Sequence, residues 1–115
     1  MKTLSPLMFA LPLALAACGG TAAPPSSLAS TQAAIRSARE VGAEQNPVAA
    51  LHLQYAREGY AQAEQLSREG EGERAQRVLQ RAQADAELAM ALSRRASARD
   101  AANQASAQTT TAPRP

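Results

Sequence analysis

Cysteine is nearly absent from this 115-residue chain, with Cys18 the only one. A single thiol excludes an internal disulfide and any cysteine-based zinc cluster. Tryptophan is missing, and two tyrosines and one phenylalanine are the whole aromatic complement. The rings that dominate large cores and recognition pockets are therefore scarce. His52 is the only histidine. A metal site would need two or three further ligands, and no His-x-x-x-His or Glu-x-x-His spacing occurs, so no metal and no cofactor are expected. There is no Gly-x-Ser-x-Gly elbow to place a nucleophile. The "GEGE" at 70–73 lacks the Lys and Ser/Thr of a phosphate loop and reads as a turn. Asp85 and Glu87 stand two apart, which puts them on different sides of a helix and rules out paired acid–base work. The chain is expected not to be an enzyme. Net charge is only +2, and acids interleave with the arginines, so nucleic acid is not an expected partner. No stretch reaches the roughly 18 uninterrupted apolar residues of a membrane-spanning helix.

The chain opens "MKTLSPLMFALPLALAAC". Lys2 gives a positive start, an apolar run broken by Pro6 and Pro12 follows, and small residues stand at Ala16 and Ala17. This is the layout of a secretory signal peptide. Leu15-Ala16-Ala17-Cys18 resembles the bacterial lipobox. The resemblance implies that residues 1–17 are removed, that a diacylglycerol is attached to the Cys18 sulfur, and that the new amino group is acylated. Each buried methylene contributes about 0.8 kcal/mol, and two or three acyl chains anchor a protein stably. The membrane is then a partner through Cys18. Gly19 stands where the resemblance implies that Asp would favour inner-membrane retention, so outer-membrane delivery, facing the periplasm, is expected.

"GGTAAPPSS" (19–27) is rich in Gly, Pro and Ser, so residues 18–27 read as a lipidated Cys and a flexible tether. At the other end, 108–115 ("QTTTAPRP") reads as a disordered tail. Between them, 28–107 abounds in Ala, Gln, Glu and Arg, good helix formers, with no strand-like alternation. The expected fold is all-α: an antiparallel helical hairpin preceded by a shorter helix, a small three-helix bundle of coiled-coil character. The first helix is expected to start after Ser26 or Ser27, with Leu28, Ile35, Ala38 and Val41 on one face. Asn46 caps the second, with Pro47 at its first position. Val48, Leu51, Tyr55, Ala63 and Leu66 follow at helical spacing, and Gly70 ends it. The third runs from about Glu73 to Ala107. Ala75, Val78, Leu79, Ala82, Ala86, Ala89, Leu92 and Ala96 mark a near-heptad apolar pattern along it, with Ala in most seam positions. Arg36/Glu40, Glu64/Arg68, Glu73/Arg77 and Arg81/Asp85 are spaced to pair. The longer third helix is expected to overhang the second, to bend, or to fray towards its end, and the overhang beyond Leu92 is expected to be exposed. Only fourteen large apolar residues follow Cys18, so the core is thin and a partner or self-association is expected.

The stretch from Asn46 to Leu92 carries Pro47, Ala56-Arg57-Glu58, the Gly70 turn, Ala75, Leu79, Ala82 and "ADAELA" at 84–89. In these it resembles small bacterial envelope lipoproteins classed as domain of unknown function 4398. The resemblance implies a helical-hairpin envelope protein, sometimes found beside peptidoglycan-binding modules, and supplies no functional residues. Lys2 is the only lysine. The major outer-membrane lipoprotein is joined to peptidoglycan through a C-terminal Lys. With "TAPRP" in that place, any cell-wall contact here is expected to be non-covalent.

Candidate contact residues are few. Tyr55 and Tyr60, five apart, cannot share one helix face; Tyr55 is expected in the seam and Tyr60 partly exposed as a contact point. Arg94, Arg95 and Arg99 could meet anionic headgroups or peptidoglycan carboxylates. His52 reads as a helix-surface or boundary residue. The functional expectation is a lipid-anchored structural or adaptor protein of the bacterial envelope acting through helix-mediated association. The alternative is a tetratricopeptide-like periplasmic binding module, although the 34-residue repeat does not recur before Asn46.

Overall fold

The computed structural model describes residues 21–111; the expected signal peptide, Cys18 with its lipobox resemblance, and the last four residues lie outside that span. Three α-helices follow one another: α1 (Pro25–Glu40), α2 (Pro47–Arg68) and α3 (Gly72–Thr111), with a single 3-10 turn at Ala43–Gln45 between the first two. No strand occurs among the described residues. The expected all-α hairpin with a preceding shorter helix is the architecture observed.

Local chemistry sets the boundaries. The Asn46 side chain accepts hydrogen bonds from the backbone N–H groups of Val48 and Ala49, both at 3.0 Å, and Pro47 occupies the first helical position, where its missing N–H costs nothing. α2 ends in a Schellman turn. Gly70 has φ 79, the N–H of Glu71 donates to the Leu66 carbonyl at 2.9 Å, and that of Gly70 to Ser67 at 3.2 Å, satisfying carbonyls that the helix leaves open. α1 begins earlier than expected. Its N-cap is Pro24, with no side-chain cap, because Pro25 already holds the φ of a first helical residue. Ser27 serves instead as an acceptor, its carbonyl taking the Thr31 hydroxyl at 2.9 Å.

The hairpin seam is made of alanine. Ala49, Ala56 and Ala63 on α2 recur every seven residues and are fully buried, as are Ala75, Ala82 and Ala89 on α3 to within 1%. A seven-residue repeat keeps one stripe facing its partner along the whole length. Leu53 and Leu79 are the largest wholly buried apolar side chains. α1 lies along α3 in parallel: Thr21 bridges to Glu71, Ser30 Oγ lies 3.4 Å from Gln83 Oε1, and Ser93 Oγ donates to the Val41 carbonyl at 2.6 Å. α2 runs antiparallel to both. One core cluster gathers Ile35, Ala38, Ala49 and Leu53 with Ala86 and Ala89; the other gathers Ala23, Ala63, Leu66, Ala75 and Leu79. Tyr60 packs against both.

Two expected segments differ. The tether is docked from Thr21 onward: Ala23 is 3% exposed and its N–H donates to Ser67 Oγ at 3.0 Å. The tail expected from residue 108 is helical through Thr111. There the hydroxyls of Thr109, Thr110 and Thr111 bond back to carbonyls four residues earlier, which satisfies them within the helix. With 22 and 40 residues, α2 and α3 are about 33 and 60 Å long. Of the overhang, bend or fray expected, α3 overhangs; Ser93, just past Leu92, is still buried, and every residue from Ser97 to Thr111 is exposed.

Candidate interaction surface

Because α1 covers only one side of the hairpin, the opposite side is left open. Positions 48, 51, 55, 59 and 62 of α2 and 78, 81, 85, 88, 92, 95 and 99 of α3 advance by three or four and so form one stripe on each helix, with His52 beside the α2 stripe. The largest exposed apolar side chains of the described residues stand here: Val48 at 56%, Leu51 at 45%, Tyr55 at 47% and Leu88 at 42%. Sequence periodicity placed Val48, Leu51 and Tyr55 inward. Alanines took the interior positions instead, since small side chains let the two backbones approach and exclude larger ones from the contact line.

The helices approach closely where Gly59 meets Ala82: a β-carbon on Gly59 would lie 3.0 Å from that of Ala82. Above this contact is a cleft of about 360 Å³ edged by Tyr55, Glu58, Gln62, Val78, Arg81 and Asp85. His52 and Asp85 span the stripe, with Nδ1 and Oδ1 2.9 Å apart; with its proton on Nδ1 the ring donates to the carboxylate. Tyr55 meets the His52 ring edge-on, at a centroid distance of 6.0 Å and 83° between planes. Both members of the pair are partly buried, so His52 is the boundary residue expected. Asp85, however, partners His52 rather than Arg81. Thirty-three residues separate the two, and only the hairpin register brings them together. Among the described residues no three His, Cys, Asp or Glu side chains converge as a metal site would require.

Of the candidate contacts, Arg95 and Arg99 edge a second, smaller cleft on this face with Asn46, Val48 and Leu92. Arg94 is exposed but falls outside the stripe. Tyr55, expected in the seam, is exposed, and Tyr60 is half-buried between the two core clusters. Burial, with the nearby Glu64 charge, pushes the Tyr60 hydroxyl above its ordinary value of 10.0.

None of the four helical ion pairs expected from spacing forms. Glu44 in the 3-10 turn is instead held by Arg57 at 2.5 Å and Arg39 at 3.4 Å, and Glu71 by Arg74. The Arg57 hydrogen bond is the main cause that holds the Glu44 carboxyl below its ordinary value of 4.5. Exposed pairs along one helix contribute only tenths of a kcal/mol, too little to hold two long side chains in one geometry.

A family model described as Domain of unknown function (DUF4398) matches residues 26–105. The chain belongs to the DUF4398 family. No curated protein and no solved structure matches it. The DUF4398 match takes in most of α1, all of α2 and α3 into the overhang, and with them the whole open face. Cys18 and the strap Thr21–Pro24 stand outside it. No described helix is long and apolar enough to cross a membrane.

Proposed function

We propose that this protein is a lipid-anchored structural or adaptor protein of the bacterial cell envelope that engages an envelope protein through the open face of its hairpin. The observation that carries the reading is the uncovered apolar flank of Val48, Leu51, Tyr55 and Leu88, rimmed at one end by Arg95 and Arg99. An apolar strip with a polar rim is the pattern of a helix-binding surface. The reading requires no catalysis, metal or cofactor. The anchor is Cys18, the membrane the outer one facing the periplasm, and any peptidoglycan contact through the arginines is non-covalent. The tetratricopeptide-like alternative has less support, because a two-helix unit of 34 residues cannot contain the 40-residue α3.

The decisive experiment places a photo-crosslinking residue at position 51 or 55 in living cells. An adduct with one envelope protein is expected, and it is lost when Val48 and Leu88 are changed to Ser. These exposed substitutions leave stability within about 0.5 kcal/mol, so loss of the adduct reports contact rather than unfolding. A protein that stays monomeric and yields no adduct from either position overturns the adaptor reading. For the anchor, Cys18→Ala should abolish lipid labelling and membrane fractionation together; unchanged labelling would refute it.

A further inference from the structure

The N-terminal strap is bound to the turn end of the hairpin by several independent contacts. Thr21 forms a parallel bridge with Glu71. The Ala23 N–H donates to Ser67 Oγ at 3.0 Å, and its methyl is buried against Ala63, Leu66, Ala75 and Leu79. Gly72 leaves room for the strap backbone: a β-carbon there would collide with the Thr21 carbonyl oxygen and lie 2.8 Å from its carbon. A flexible leash would need none of these features.

We propose that the strap fixes the lipid anchor beside the Gly70 turn, which makes the turn end of the hairpin the surface facing the bilayer and points α1 and α3 away from it. The proposal rests on the lipidation of Cys18. Three residue steps separate Cys18 from Thr21, a reach of at most about 11 Å. α1 and α3 both start at this end and run parallel away from it, so Thr111 stands about 60 Å from Gly72, with Arg95 and Arg99 about 35 and 40 Å out. The open face is then presented at a stand-off from the membrane rather than laid on it.

Charge at the turn end agrees with an orientation imposed by the anchor. Arg68, Arg74 and Arg77 are matched by Glu69, Glu71 and Glu73, so an anionic lipid surface exerts little net pull on it. The acyl chains supply the affinity and the docked strap supplies the direction.

The test uses the protein purified from the membrane fraction and reconstituted in phosphatidylcholine vesicles that carry a headgroup acceptor dye. A donor is attached through Glu69→Cys or, separately, Gln108→Cys. With a transfer distance near 50 Å, energy transfer is expected to be several-fold stronger from position 69 than from 108. Gly72→Val, which expels the Thr21 carbonyl, should bring the two values together. Eight Gly/Ser residues inserted between Gly20 and Thr21 should do the same while leaving every docked contact intact, which covers the case in which the glycine variant misfolds. Equal transfer from both positions in the native chain overturns the orientation while the anchor stands. A protein recovered only in the soluble fraction overturns the anchor, and the orientation with it.

Discussion

Gly59 of α2 and Ala82 of α3 face each other so closely that even a methyl group on the glycine would press on its neighbour, 3.0 Å away. This contact sits at the centre of the alanine seam and fixes the spacing of the hairpin. The first prediction concerns that spacing. Ala82→Leu sets a larger side chain against the Gly59 backbone at the closest point of this contact and should destabilise the protein by about 1–3 kcal/mol, read as a lowered urea midpoint at unchanged slope. Ala91→Leu, on the exposed side of the same helix, should leave the midpoint in place.

At the turn, Gly70 adopts φ 79, a left-handed conformation that costs a residue with a β-carbon about 1–2 kcal/mol. Gly70→Ala should therefore lower the thermal midpoint by several degrees, whereas Glu69→Ala, at the exposed position beside it, should not.

Acid should weaken the link between α1 and α2. Glu44 titrates below 4.5 in the folded protein because Arg57, and then Arg39, hold its carboxylate. The unfolded chain binds the proton first as pH falls, so this contribution is present in full above the ordinary value and is lost as pH drops through the lowered one. Unfolding by urea between pH 2 and 6 should show a decline that Glu44→Gln reduces. The site is exposed, so the change is expected to be small and to shrink in high salt.

Alkali acts through Tyr60. Its hydroxyl titrates above 10.0 when folded, because burial and the Glu64 charge disfavour the phenolate. Here the unfolded chain releases the proton first. The contribution is therefore intact below pH 10 and is lost as pH rises through the raised value. With a single lysine in the sequence, at position 2, few other groups titrate in that range. Tyr60→Phe should flatten the fall in stability between pH 9 and 12, measured by circular dichroism.

The features that could be read from sequence are those decided within a few residues. Asn46-Pro47 carries its own cap, Gly70 its own turn, and the alanines from Ala75 to Ala89 announce a seven-residue repeat. The same repeat in Ala49, Ala56 and Ala63 was the clue to the α2 interior, but the larger Val48, Leu51 and Tyr55 drew the assignment to the wrong face. Size indicates what could be buried, whereas period indicates what is. The His52–Asp85 pair and the docking of Ala23 depend on neighbours 33 and 44 residues away. Composition alone made the strap look like a leash, since Gly72 and Ser67 receive it from elsewhere in the chain.

The overhang of α3 has a thermodynamic consequence. From Ser97 to Thr111 it buries nothing, and fifteen residues is about the length at which a free helix in water is marginal, because its first turn must form unaided. Here the bundle has already formed that turn, and the overhang only propagates it. Its order is borrowed from the hairpin, so its amides should exchange by fraying from the tip while those of the seam await global opening. A ligand that grips the overhang would repay the loan: ordering the last turns by contact would reduce fraying along the helix that carries the seam.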